Sequence, residues 1–127
     1  MPRRSIDEFR AERAAGQERV LACEHLGINR FMALDTRAYR DATAEGGLPA
    51  DTKELLGLAA SAVLRCNDCI DYHLEQCVKA GYSRTQLEDA LNVALVVGGS
   101  IFIPHLRHAL QSLDELLAER DGDSSAT

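Results

Sequence analysis

A short stretch in the middle of the chain has residue types and spacings suited to sulfur redox chemistry. Cys66-Asn67-Asp68-Cys69 places two thiols two residues apart, and His73 follows four residues after the second. At about 100° per residue, Cys66, Cys69, His73 and Cys77 fall at about 0°, 300°, 340° and 20° around a helix, on one face. Ile70 and Leu74 share that face, and Asp71, Glu75 and Lys79 lie opposite. The pattern predicts thiols and an imidazole turned inward, toward a packed and partly dry site. Two cysteines at this spacing can close a disulfide, and a helix that starts near Cys66 lowers the thiol pKa through its unpaired N–H groups. His73 is one turn beyond Cys69, so Cys69 reads as the activated thiolate and Cys66, at the outer end, as its resolving partner.

Two other readings compete with redox chemistry. Cys66, Cys69, His73 and Cys77 are suitable zinc ligands by type. On one helix, however, Cys66 and Cys77 stand roughly 16 Å apart along the axis, too far for a single ion. The structural reading makes these groups small buried thiols and a satisfied core histidine, and it is preferred for Cys23 and Cys77. Haem attachment of the c type needs His directly after the second Cys, where this chain has Ile70. Glu54 also has two roles open to it. It fits as the last member of an Asp51-Thr52-Lys53-Glu54 capping box. If two successive helices pack back to back, it also lies within about 6 Å of the level of His73, a gap that its side chain and one water would span. Such a carboxylate would fix the tautomer of His73 and raise its basicity.

The elements that must position these residues read as helices throughout. Ala and Leu far outnumber Val and Ile, a balance that favours helix over strand. Ser5-Ile6-Asp7-Glu8 has the form of a capping box, opening a helix to about Glu24. A second helix begins near Ile28, with Ile28, Phe31, Met32, Ala38, Tyr39 and Ala42 as expected buried positions. Gly46-Gly47 and Pro49 break the chain before a third helix from Thr52 to about Leu64. That helix is apolar nearly all round and is expected to be the central, most buried one. A fourth runs from about Asn67 to Ala80 and stops at Gly81. Ser83 caps a fifth, whose stripe is Leu87, Ala90, Leu91, Ala94 and Val97. A sixth, from about Ser100 to Arg120, carries Pro104 near its start. The expected fold class is all-α, a compact bundle of about six helices over residues 1–120 with the CxxC at the start of a central helix, followed by a disordered polar tail over 121–127.

The chain has 127 residues, room for one domain. Its net charge of −6 disfavours non-specific binding to nucleic acid or anionic lipid. No apolar run approaches the roughly 20 residues of a membrane span. The first residues lack the apolar region of a signal peptide, so a cytoplasmic location is expected. In a reducing compartment four cysteines do not imply a structural disulfide framework.

The combination Glu54, Cys66-Asn67-Asp68-Cys69, His73 resembles the alkylhydroperoxidase D (AhpD)-like branch of the carboxymuconolactone decarboxylase superfamily. The runs KELLGLAASAVLRCNDCIDYHLEQCVKAGYS and LEDALNVALVVGGS are similar to it as well, and the resemblance covers about Pro49 to Leu113. It implies an all-helical fold and a thiol-dependent oxidoreductase, either a peroxidase or a disulfide reductase. By this resemblance Cys69 is the attacking thiol, His73 activates it, a water links His73 to Glu54, and Cys66 resolves the oxidised sulfur as a disulfide. Its implied partners are a hydroperoxide or disulfide substrate and a dithiol reductant, protein or small thiol, with no cofactor and no metal. Homo-oligomers, trimers or hexamers, are implied too, and exposed parts of Val93 to Ile103, including Phe102, are candidate interface residues, with an ordinary core role equally open to them. One departure stands out. AhpD members carry a second His inside the CxxC where this chain has Asp68, an anion that would raise the neighbouring thiol pKa. His105 and His108 are read as solvated or capping groups. The alternatives are a carboxymuconolactone decarboxylase-like lyase, which needs no cysteine pair, and a non-catalytic metal-binding or structural oligomer.

Overall fold

Ser5 opens the first helix by the expected reciprocal cap. In the computed structural model, which describes residues 3–125, its hydroxyl accepts from the Glu8 N–H at 3.1 Å and the Glu8 carboxylate returns to the Ser5 backbone. Helix α1 follows over Ile6–Leu21, then α2 over Leu26–Ala38, where His25 Nδ1 accepts from the Ile28 N–H as the cap. A 3₁₀ turn at Thr43–Glu45 closes on Gly46 in the left-handed region. Helices α3 (Ala50–Val63), α4 (Asn67–Lys79), α5 (Arg84–Gly98) and α6 (Ile103–Ser125) complete the chain, with a second 3₁₀ turn at Ser100–Phe102. No strand occurs among the described residues, so the all-α expectation holds.

The centre of the core is α4 rather than α3. Ile70, Leu74, Cys77 and Val78 of α4 are buried against Leu58 and Ala62 of α3 and Leu113 of α6. On α3, Leu56, Val63 and the following Leu64 face outward. The reason is topological: α4 packs against three helices, α3, α6 and α1, whereas α3 packs against two, α4 and α5, and keeps an outer side. Helix α1 is fixed across α4 and α6 by Arg10, which pairs with Glu75 and binds Glu119 through two nitrogens at 2.8 and 2.9 Å. That hydrogen-bonded guanidinium holds the Glu119 carboxyl below its usual range.

Several local expectations change. Asp51 does not cap α3. The helix begins two residues earlier than expected, at Ala50, after Pro49 in extended conformation. Its Pro49 cap offers no side-chain bond, Asp51 lies inside the first turn, and Glu54 is released from any capping role. On α2, Ile28, Phe31 and Ala38 are exposed, while Met32 and Tyr39 are half-buried, because α2 has no helix packed over its outer side. Val97, expected on the buried stripe of α5, is exposed, and Phe102 is fully buried, which makes it core and not interface. Helix α6 continues through Ser125, so the polar segment from Asp121 is helical that far; Ala126 and Thr127 lie outside the described residues. Arg120 anchors this end by donating to the Val78 and Tyr82 carbonyls at 3.4 and 3.0 Å.

Candidate active site

The turn between α3 and α4 sets the site. Cys66 N–H bonds to the Ser61 carbonyl and Arg65 N–H to the Ala62 carbonyl, a Schellman ending in which Arg65 takes the left-handed conformation (φ 61°) that glycine usually fills. At the far end of α4 the same turn is made with Gly81 (φ 98°). The α3 ending is tight enough that Cys66, two residues after the C-cap Leu64, is already the N-cap of α4. Its sulfur accepts from the Cys69 N–H at 3.3 Å, and Cys66 and Cys69 are paired as a disulfide with Cα atoms 5.3 Å apart. Both sulfurs therefore sit at the positive end of a helix dipole, where a thiolate is favoured.

One turn further in, His73 is almost wholly buried. Its Nδ1 lies 2.8 Å from Glu54 Oε2 and its Nε2 lies 3.3 Å from the Tyr39 hydroxyl. Since a carboxylate only accepts, Nδ1 donates to Glu54. The contact is direct, not through the water expected from sequence. The cause is Gly57, one turn after Glu54 on α3. A Cβ there would stand 2.6 Å from His73 Cε1 and 2.8 Å from Nδ1, so the imidazole packs against bare backbone. The missing side chain lets α3 and α4 approach closely enough for Glu54 to reach the ring. Tyr39 tilts over the imidazole at 5.2 Å between centroids and Tyr72 meets it edge-on at 5.1 Å.

Cys69 and His73 open on a cleft of about 300 Å³. Phe9, Arg13 and Gln17 of α1, Asp35 and Tyr39 at α2, and Asp68, Cys69, Tyr72 and His73 of α4 line it. Cys69 is exposed there, contrary to the inward orientation expected for it, because α1 and α2 leave the first turn of α4 uncovered. Burial, with Asp35 and Glu54 adding to it, pushes the Tyr39 hydroxyl above its usual pKa. Burial does the same for Tyr72, against the opposing charge of Arg13, whose guanidinium lies 4.4 Å from the Tyr72 ring centroid. The charge of Asp68 does not act on Cys69 alone, because the Arg4 guanidinium pairs with its carboxylate. Cys77 stays out of the site: it is fully buried in the core, where burial, with Glu54 and Asp51, pushes its thiol up to about 12. Cys23 is a half-buried free thiol just beyond α1. Among the described residues no three His, Cys, Asp or Glu side chains converge as a metal site requires.

A second carboxylate–histidine pair occupies the other side of α4. Asp71, expected opposite the buried face, is itself fully buried. Both of its oxygens lie 2.9 Å from His108 Nε2, and Ser112 Oγ donates to it at 2.6 Å. Arg3 donates to Ser112 at 2.7 Å, and Arg4 stands 3.6 Å from Asp71. His105 Nδ1 bonds Asn67 Oδ1 at 2.9 Å. His108 and His105 thus hold α6 against α4 rather than facing solvent. The structure also brings Tyr39, Gly57 and Arg4 to the site, none of which the sequence reading placed there. A glycine one turn after Glu54 in an otherwise apolar helix was the available signal for Gly57; nothing local marked the other two.

Comparison with known proteins supplies a context for this geometry. The family model of the carboxymuconolactone decarboxylase family matches residues 29–115. Two crystal structures of a Thermotoga maritima protein of that family superpose with TM-scores of 0.81 and 0.84 at 46% identity. They cover 91% of this chain and 95% and 98% of theirs, and a part in the antioxidative response has been suggested for that protein. An uncharacterised Cupriavidus necator protein is 34% identical over 61% of this chain and 68% of its own. The alkyl hydroperoxide reductase AhpD of Coxiella burnetii is 30% identical over 54% of this chain, a match that spans 39% of the reductase.

Proposed function

Because the chain belongs to the carboxymuconolactone decarboxylase family, and within it resembles AhpD, we propose that it is a thiol-dependent oxidoreductase that reduces a hydroperoxide or a partner's disulfide. The single observation that carries this reading is the convergence on one cleft of Cys69, paired with Cys66, and a Glu54-held His73. In the reduced form Cys69 gives up its proton to the His73 relay, and the thiolate attacks the outer oxygen of the hydroperoxide. A sulfur–oxygen bond forms, the oxygen–oxygen bond breaks, and the alkoxide leaves as alcohol on taking up a proton. Cys66, deprotonated in turn, attacks the Cys69 sulfenic acid, closes the disulfide and releases water. Two thiols of a dithiol donor, protein or small molecule, then restore the pair by exchange and leave oxidised.

The cycle requires a donor, which suits a cytoplasmic location, and no described helix is long and apolar enough to cross a membrane. The exposed apolar residues of α2 and α5, among them Phe31, Leu34, Val96 and Val97, are too many for a small soluble monomer. We assign them to contacts between copies in a trimer or hexamer, and light scattering that returns a single 13.9 kDa chain would refute it.

The reading is tested by counting free thiols of the reduced protein before and after one equivalent of hydroperoxide, in wild type and Cys69→Ser. Wild type is expected to lose two thiols quickly and the variant none at that rate. No faster loss in wild type overturns the peroxidase reading. A small-lactone decarboxylation that survives replacement of both cysteines would move the chain to the lyase branch of the family.

A further inference from the structure

Both nitrogens of His73 are engaged. With Nδ1–H donated to Glu54 at 2.8 Å, the neutral ring has its lone pair on Nε2, and the group facing that lone pair is the Tyr39 hydroxyl at 3.3 Å. A phenol donates and accepts through one oxygen, so it can hand a proton on. Tyr39 is the C-cap of α2, on a different element from every residue of the Glu54–CxxC–His73 pattern, and it lines the same cleft as Cys69. Cys69 therefore does not have the basic nitrogen of His73 to itself, because a tyrosine hydroxyl already occupies it.

We propose that Tyr39 is the relay residue of this site, its hydroxyl carrying the proton between the Cys69 thiol and His73 Nε2. The inference rests on the reading of Cys69 as the reacting thiol. In the step, the S–H bond of Cys69 breaks and its electron pair stays on sulfur. That proton goes to Tyr39 Oη while the hydroxyl proton of Tyr39 passes to His73 Nε2. A thiolate, a neutral phenol and an imidazolium bonded to Glu54 result, with no net gain or loss of protons. Once Nε2 carries a proton it donates to Tyr39 Oη, and the phenol proton is free to turn toward the new thiolate. The groups that face Tyr39 suit a donor: Asp35 on its own helix, Glu54 on α3, and Tyr72 and His73 on α4, with Asp68 and Arg13 further round the cleft. Burial and the two nearer carboxylates keep the phenol protonated at neutral pH.

The test is the pH profile of Cys69 alkylation by iodoacetamide. It is read on the Cys69 peptide by mass spectrometry, in a Cys66→Ser background so that one thiol of the pair titrates. Tyr39→Phe keeps the ring against His73 and removes only the hydroxyl; Tyr39→Leu removes both. Both are expected to raise the apparent pKa of Cys69 by about one unit. Each would slow alkylation about tenfold below the parent's midpoint and leave the high-pH plateau unchanged. Melting temperatures show whether each variant is folded. A Tyr39→Phe profile that superimposes on the parent's overturns the proposal. So does a shift seen only in Tyr39→Leu, which would assign the effect to ring packing. Alkylation consumes no hydroperoxide, so a chain that fails the peroxide titration still decides the role of Tyr39 by this profile.

Discussion

The two carboxylate–histidine pairs of α4 have nearly the same dimensions and opposite surroundings. Glu54 lies 2.8 Å from His73, and Asp71 lies 2.9 Å from His108. They differ in which nitrogen is held and what remains. Glu54 takes Nδ1 and leaves Nε2 directed at Tyr39 and the cleft that holds Cys69. Asp71 takes Nε2 of His108 with both oxygens, and its remaining capacity goes to Ser112 and the nearby Arg4. Through Ser112 the second pair reaches Arg3 and pins the start of the chain to α4 and α6. A carboxylate–histidine pair is thus not in itself chemistry. The role follows from whether the imidazole keeps a nitrogen that faces a reacting group.

The comparison breaks most sharply at Asp71. Asp71→Asn is expected to lose about 3 kcal/mol of folding stability, since one partner of a buried ionic cluster is removed. Chemical denaturation measures this, and Cys69 alkylation per folded molecule should be unchanged. Glu54→Gln should do the reverse, with about 100-fold slower thiol loss to hydroperoxide and a stability change of only about 1 kcal/mol. If the two variants behave alike in both assays, the division between the faces is wrong.

Gly57→Ala sharpens the same division from the α3 side. The new Cβ would meet the His73 ring at 2.6–2.9 Å, so the ring must move. Peroxide-driven thiol loss is expected to fall about tenfold, as a displacement of about 1 Å at a catalytic group implies. Its melting temperature should stay nearly level, because alanine gains about 1 kcal/mol over glycine inside a helix and offsets part of the clash. The smallest effect concerns Cys77. With its thiol raised from 9.0 to about 12 in the folded state, it should resist alkylation up to about pH 10 while the protein is folded. The sign for stability follows: below pH 9 both states keep the proton and the Cys77 contribution is constant. As pH rises from 9 toward 12 only the unfolded chain loses it, so stability falls. A Cys77→Ala variant should show a shallower decline over that range.

Much of this was legible in the sequence, and the omissions have physical causes. The helix starts at Ser5 and Ser83 follow from side-chain caps, and the α4 stop at Gly81 from a left-handed residue; all three are local devices. The proximity of Glu54, Cys66, Cys69 and His73 was also readable, since Cys69 and His73 share α4, Cys66 caps it and Glu54 lies on the helix before it. What escaped depends on a third element. Tyr39 reaches His73 from α2 and His108 reaches Asp71 from α6, and helical periodicity cannot say which helix covers a given face. Asp71 lay on the polar side of α4 by spacing and proved buried, because α6 covers that side there with His108 and Ser112. The exposed face of α2 was misjudged for the converse reason: no helix of the described residues packs over its outer side.

The most direct measurement is the rate at which hydroperoxide closes the Cys66–Cys69 disulfide in fully reduced His73→Gln and His108→Gln, each normalised to the folded fraction. The account predicts a rate about 100-fold below wild type for His73→Gln and a wild-type rate for His108→Gln. Equal rates in the two variants, or a loss confined to His108→Gln, would contradict it.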